Sequence, residues 1–150
     1  MKTPEDEQAS VFRFFTEVGI IQQLISTRLE TMLPGRMGAT QFGILGHLAR
    51  RPDGETPLQL SNAFQVPKTS MTHMLGVLEK LELVTIEPHP QDGRSKVARA
   101  TQKGQAFLRE CTGRMSREMA PVMSELGTQP FNAALPHLQQ IREALDRARD

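Results

Sequence analysis

"VPKTSMTHMLGVLEKLELVTIEPHPQDGRSKVARATQKG", Val66 to Gly104, decides the fold of this chain. Its first half is patterned for a helix and its second for a hairpin. Pro67 suits a helix start, and after it Met71, Met74, Leu75, Leu78 and Leu81 form one apolar stripe. Lys68, Thr69, Ser70, Thr72 and His73 crowd the first two turns on the other side. "LVTIEPHP" then alternates β-branched residues at Val84 and Ile86, Asp92-Gly93 is a strong turn pair, and "KVARA" returns as a second strand. Thr101 caps a further helix that runs into "GQAFLRECTGRMSREM".

Upstream, Thr56 and Gln59 make a capping box with Pro57 at the first helical position, so "PLQLSNAF" is a short helix that meets the next one at a tight turn. Thr40 reads as the N-cap of "QFGILGHLAR", which "RPDGE" ends. From Val11 to Leu33 the residues Val11, Phe12, Phe15, Val18, Ile21, Leu24, Ile25, Leu29 and Met32 recur at helical spacing, and "LPGRMG" stops the helix. Phe14 and Ile20 widen this surface beyond what one small domain buries, which points to a second chain as its cover. Downstream of Thr101 the pattern is helical to the end. Gly113, Pro121 and "GTQP" are expected bends, Pro136 resets the last helix, and Leu135, Leu138, Ile141 and Leu145 form its stripe. The two terminal stripes are expected to pair between chains, Val11–Leu33 of one with Leu135–Leu145 of the other.

A chain of 150 residues with no internal repeat and no long linker suits one domain. Cys111 is the only cysteine, so no intramolecular disulfide is available, and among apolar helix residues it reads as a core filler. The opening "MKTPEDEQAS" lacks the basic-then-apolar pattern of a secretory signal, and "VGIIQQLI" is broken by Gln22 and Gln23, so a cytoplasmic location without a membrane span is expected. His47, His73, His89 and His137 are too scattered for a metal site, and no cofactor motif or enzyme signature is present. The net charge of +1 hides an uneven distribution. Arg36–Lys103 carries nine basic against six acidic residues, Met1–Gly35 three against five, and Gly104–Asp150 six of each. A basic centre between acidic and neutral ends suits contact with a polyanion.

Helix, helix, tight turn, helix and hairpin, framed by long helices, is the order of a winged helix-turn-helix. The fold class is mostly α (α+β), with a two-stranded wing between long N- and C-terminal dimerisation helices. The major groove admits one α-helix and is read by small donors and acceptors near its N-terminus, a need that Lys68, Thr69, Ser70, Thr72 and His73 meet. Arg94 and Lys96 at a Gly turn between strands suit phosphate and groove contact, whereas Arg99 is either a phosphate contact or a solvated side chain.

These residues carry a resemblance. "VPKTSMTHMLGVLEKLELV" with "DGRSKVARATQKG" resembles the MarR family of dimeric winged-helix repressors, whose wing pattern is matched by Asp92, Arg94, Ala100, Thr101, Gln102, Lys103 and Gly104. The resemblance implies that Arg94 enters the minor groove and that Asp92 holds it in place. It implies a homodimer on a palindromic double-stranded operator, with residues 36–103 as the DNA-binding lobe and 7–35 and 104–150 as dimerisation helices. It also implies release by a small aromatic or amphipathic effector in a crevice for which Phe12, Phe15, Phe42 and His47 are candidates by location. Two departures stand out. Pro67 replaces a serine hydroxyl at the start of the recognition helix, and Ala100 replaces a leucine, which implies a more mobile wing. The competing class is a winged helix that binds protein rather than DNA; the basic centre with Arg94 at the wing tip separates the two.

Overall fold

The computed structural model describes residues 3–35 and 37–148. Arg36, the expected first residue of the DNA-binding lobe, lies outside them. The elements run α1 (Pro4–Glu30), α2 (Ala39–Ala49), α3 (Pro57–Phe64), α4 (Lys68–Lys80), β1 (Val84–Pro88), β2 (Lys96–Ala100), α5 (Gln102–Leu126) and α6 (Gln129–Ala148). This is the expected winged helix-turn-helix order. The chain divides into two compact units, Met1–Gly113 and Arg114–Asp150, with the boundary inside α5.

α1 begins well before its first apolar residue. Thr3 accepts a bond from the Asp6 amide, the Asp6 side chain answers to the Thr3 amide, and Pro4 occupies the first turn. These bonds from Thr3 hold the Asp6 carboxyl below its ordinary pKa. The helix ends at Glu30 rather than Leu33. Met32 is buried, and Leu33 packs on the lobe core. Thr40 is not the N-cap of α2: Gly38 holds that position, and its amide donates to Gln41 Oε1 at 2.6 Å. Gln41 thus supplies the reciprocal half of a capping box, satisfying the amide of the N-cap residue, while Gly38 has no side chain to accept from the first turn.

α3 starts as the sequence predicts, with the Gln59 amide donating to Thr56 Oγ1 at 3.2 Å and the Thr56 amide to Gln59 Oε1 at 2.9 Å. Gln65 then takes a left-handed conformation (φ 55°) and turns the chain sharply into α4. Ile44, Leu45 and Leu48 of α2, Leu60 of α3, and Met71, Leu75 and Leu78 of α4 meet in one core. Burying such side chains stabilises each by about 1.5–3 kcal/mol relative to exposure.

β1 and β2 pair antiparallel with Val84 opposite Ala100 and Pro88 opposite Lys96. Glu55, between α2 and α3, adds a one-residue bridge to the far side of β2 through bonds with Ala98 of 3.1 and 2.8 Å. Gly54 makes this approach possible: its φ is +74°, and a Cβ there would lie 2.5 Å from the Ala98 carbonyl. At the other end of the hairpin, Thr101 donates its amide to the Leu83 carbonyl and accepts from the Gly104 amide as N-cap of α5. A Cβ on Gly104 would strike the Leu83 carbonyl, so the last residue of the wing pattern is a packing requirement.

α5 runs through Gly113 and Pro121 to Gly127, whose φ of +68° ends it. Cys111 is buried, as a core filler should be. Pro136 does not reset α6, which continues through it from Gln129 to Ala148. The good helix formers on both sides, Ala133, Ala134 and Leu135 before it and Leu138, Gln139 and Gln140 after, sustain the helix across the missing bond.

Candidate nucleic-acid interface

α4 turns its two faces to different surroundings. Met71, Leu75 and Leu78 are buried, while Lys68, Thr69, Ser70, Thr72 and His73 are exposed. Pro67 stands at the N-cap, one position earlier than the first helical residue, and supplies no capping side chain. The first-turn amides of α4 therefore have no side-chain acceptor, and the first-turn residue beside them is the cation Lys68 rather than the acid that a helix dipole favours. Thr72 is partly engaged, since its hydroxyl donates to the Lys68 carbonyl at 3.0 Å.

The hairpin tip is held by its own backbone. The Ser95 amide donates to the Asp92 carbonyl at 3.0 Å, and the Arg94 amide donates to Asp92 Oδ1 at 3.0 Å. Asp92 thus fixes Arg94 through the main chain, leaving its guanidinium exposed. One further rung, from the His89 amide to the Ser95 carbonyl at 2.9 Å, joins this turn to the strands. Arg99 lies back on the hairpin, 3.7 Å from Glu87, which weighs against a phosphate role.

Tertiary structure brings helix and hairpin together. A cleft of about 670 Å³ separates them, with Lys68 and Thr72 on one wall and Asp92, Arg94 and Lys96 on the other. Thr69, Ser70 and His73 belong to the same exposed helix face but lie outside the cleft. The start of α3 also lines it, through Thr56, Pro57 and Leu58. Sequence reasoning misses these three, because a capping box reports where a helix starts and not which surface it joins. The arrangement offers exposed cations beside a groove-sized helix, which suits a phosphate backbone and base edges.

The four residues named for an effector crevice have separate surroundings. Phe12 and Phe15 stand exposed on α1, at 75% and 44%. Phe42 packs edge-on to Phe107 at 6.4 Å. His47 is fixed by Glu55, with Nε2 2.9 Å from Oε2, by Arg51 near its Nδ1, and by the edge of Phe64 at 5.4 Å. Arg51 also holds Glu55, so this cluster anchors the residue that bridges to β2. Among the described residues no group of three or more His, Cys, Asp or Glu side chains is placed to hold a metal ion. No helix among them is long and apolar enough to cross a membrane.

Residues 37–95, which include α4 and the hairpin tip, match the model of the MarR family. No curated protein matches the chain in sequence. Solved structures match over nearly its whole length. The transcriptional regulator BldR from Sulfolobus solfataricus is 19% identical, with 97% of this chain and 99% of that one covered and a TM-score of 0.72. A mutant of MarR from E. coli is 22% identical over 84% and 93% of the two chains, with a TM-score of 0.68. CouR from Rhodococcus jostii, solved with p-coumaroyl-CoA bound, is 15% identical over 83% and 87%, with a TM-score of 0.66. Segment 37–95, with α3, α4, β1 and the hairpin tip, thus belongs to the MarR family, and the chain as a whole carries the winged-helix fold of these solved regulators.

Proposed function

We propose that the protein is a sequence-specific DNA-binding transcriptional regulator, not an enzyme, which acts in the cytoplasm as a homodimeric repressor. The observation that carries this reading is the cleft that joins Lys68 and Thr72 on α4 to Asp92, Arg94 and Lys96 on the wing. In this reading α4 lies in the major groove, with Lys68, Thr69, Ser70, Thr72 and His73 toward the bases and flanking phosphates. Arg94 enters the minor groove from a turn held by Asp92, and Lys96 meets phosphate. Residues 36–103 form the DNA-binding lobe of a single domain.

Residues 7–35 and 104–150 carry dimerisation. In support, α1 exposes Val11, Phe12, Ile21 and Leu24, and α6 exposes Phe131, Leu135 and Leu145. Apolar surface on this scale in a regulator of palindromic sites suits a second copy related by a two-fold axis. The effector is a small aromatic or amphipathic molecule, for which Phe12, Phe15, Phe42 and His47 are candidates by location; in support, the structural neighbour CouR was solved with p-coumaroyl-CoA, whose acyl group is aromatic.

Genomic fragments captured by the purified protein and then sequenced test this reading. The expected result is a palindrome whose half-sites lie about one helical turn, roughly 10 bp, apart. Capture without any shared sequence would favour the protein-binding class of winged helix.

A further inference from the structure

The two walls of the cleft belong to elements that the DNA-binding reading sends into different grooves of one duplex. A helix in the major groove and a hairpin tip in the neighbouring minor groove are separated by a single sugar–phosphate strand, since that strand divides the grooves. The cleft is the space this strand must cross. Lys68, Arg94 and Lys96 line it, and cations there suit phosphates. The rest of the lining is mixed: Pro57, Leu58, Leu75 and Ile86 give it an apolar part, beside the hydroxyls of Thr56, Thr72 and Ser95 and the Asp92 carboxylate that holds the Arg94 turn.

Leu58 is the unusual member. It is 55% exposed, at the second position of α3, while Leu60 of the same helix is fully buried and Phe64 packs on the lobe core. Leu58 has no place in that core. One exposed leucine is ordinary on a surface; what marks Leu58 is its place with Pro57 and Ile86 as the apolar part of a cleft that Lys68, Arg94 and Lys96 also line.

We infer that Leu58 is an apolar seat for the DNA strand: its side chain packs against a deoxyribose of the strand that crosses the cleft, while Lys68, Arg94 and Lys96 hold phosphates on either side. This rests on the DNA-binding reading and adds to it a contact with the uncharged part of the backbone.

The contact has a signature that separates it from its neighbours. Loss of a phosphate cation lowers the salt slope, and loss of a base contact lowers discrimination between sequences, whereas loss of a sugar contact does neither. The test uses full-length protein and two probes, the tightest duplex recovered from a randomised pool by the wild type and a scrambled duplex of equal length. Fluorescence anisotropy at several salt concentrations should show Leu58→Ala about tenfold weaker on both probes, with slope and discrimination kept. Leu58→Met, which retains apolar volume, should restore binding, and the thermal midpoint of both variants should match the wild type because Leu58 is outside the core. Binding by Leu58→Ala within about twofold of wild type on both probes would overturn the inference alone. So would a lowered salt slope, or a loss confined to the selected duplex. A wild type that binds neither probe would overturn it together with the DNA-binding reading.

Discussion

The lobe and the terminal helices carry the same kind of apolar stripe and meet opposite fates. In the lobe, Ile44, Leu45, Leu60, Met71, Leu75 and Leu78 are each at most 1% exposed. α1, with 27 residues, and α6, with 20, contain no buried residue at all. Periodicity alone does not separate these cases, since a stripe says that a face will be covered and not by which chain. The lobe covers its own stripes with neighbouring elements, and the terminal helices leave theirs exposed within the chain. On the proposed homodimer, the lobe's stability is internal and that of the terminal helices depends on concentration.

Matched truncations on the two sides break or sharpen this contrast most strongly. Leu75→Ala should destabilise the lobe by about 3 kcal/mol in urea unfolding, through lost burial and the cavity left behind. Leu24→Ala, at a residue 61% exposed, should change the unfolding of a monomer by less than about 0.5 kcal/mol. At micromolar concentration it should instead weaken association, seen by light scattering as a shift toward the monomer. Equal costs for the two substitutions, with no change in association, would mean that α1 is stabilised from within its own chain.

A smaller effect distinguishes two kinds of contact within the lobe. Arg94→Ala should flatten the salt dependence of operator binding by about one phosphate equivalent, because a fixed cation releases a counterion from the duplex. Thr69→Ala or Ser70→Ala should leave that slope unchanged and reduce discrimination at one or two base pairs by roughly 1 kcal/mol. Anisotropy titrations on operator and scrambled duplexes read both quantities. Equal weakening on both duplexes by the hydroxyl variants would remove α4 from its assigned groove.

Legibility in the sequence follows the range of the interactions involved. α4, the hairpin and the Thr101 cap are legible because their determinants lie within a few residues of one another: a stripe, an Asp-Gly turn, a hydroxyl ahead of a helix. The start of α1 is not legible from apolar spacing, since its capping box sits in a polar segment with no stripe to reveal it. Gln41 capping Gly38 from within α2 escapes for a similar reason. The bridge from Glu55 to Ala98 joins residues far apart in sequence, and no local signal announces it. The site divides in the same way. Lys68, Thr72, Asp92, Arg94 and Lys96 can be named from residue type and element, but their meeting across one cleft with Thr56, Pro57 and Leu58 depends on where the hairpin lies relative to α3.

The smallest predicted effect lies at the seam between the lobe and α5. Glu82 adopts a left-handed conformation (φ 61°), its carbonyl accepts from the Thr101 hydroxyl at 2.7 Å, and its carboxylate meets Lys103 Nζ at 2.8 Å. The bond and charge of Lys103 hold the Glu82 carboxyl below its ordinary pKa. A depressed carboxylate contributes stability at pH well above the ordinary glutamate value of about 4.3, and that contribution is lost as pH falls through the lowered folded-state value. Both side chains are largely exposed, at 61% for Lys103 and 78% for Glu82, so water and salt weaken the pair. Lys103→Ala should therefore return the Glu82 carboxyl to its ordinary range in an NMR titration and leave the thermal midpoint at neutral pH nearly unchanged. The seam would persist because the Thr101 amide still bonds the Leu83 carbonyl and Gly104 still packs against it. A large fall in the neutral-pH midpoint would instead make the exposed ion pair, rather than these backbone contacts, the link between the self-contained lobe and the helix that leaves it.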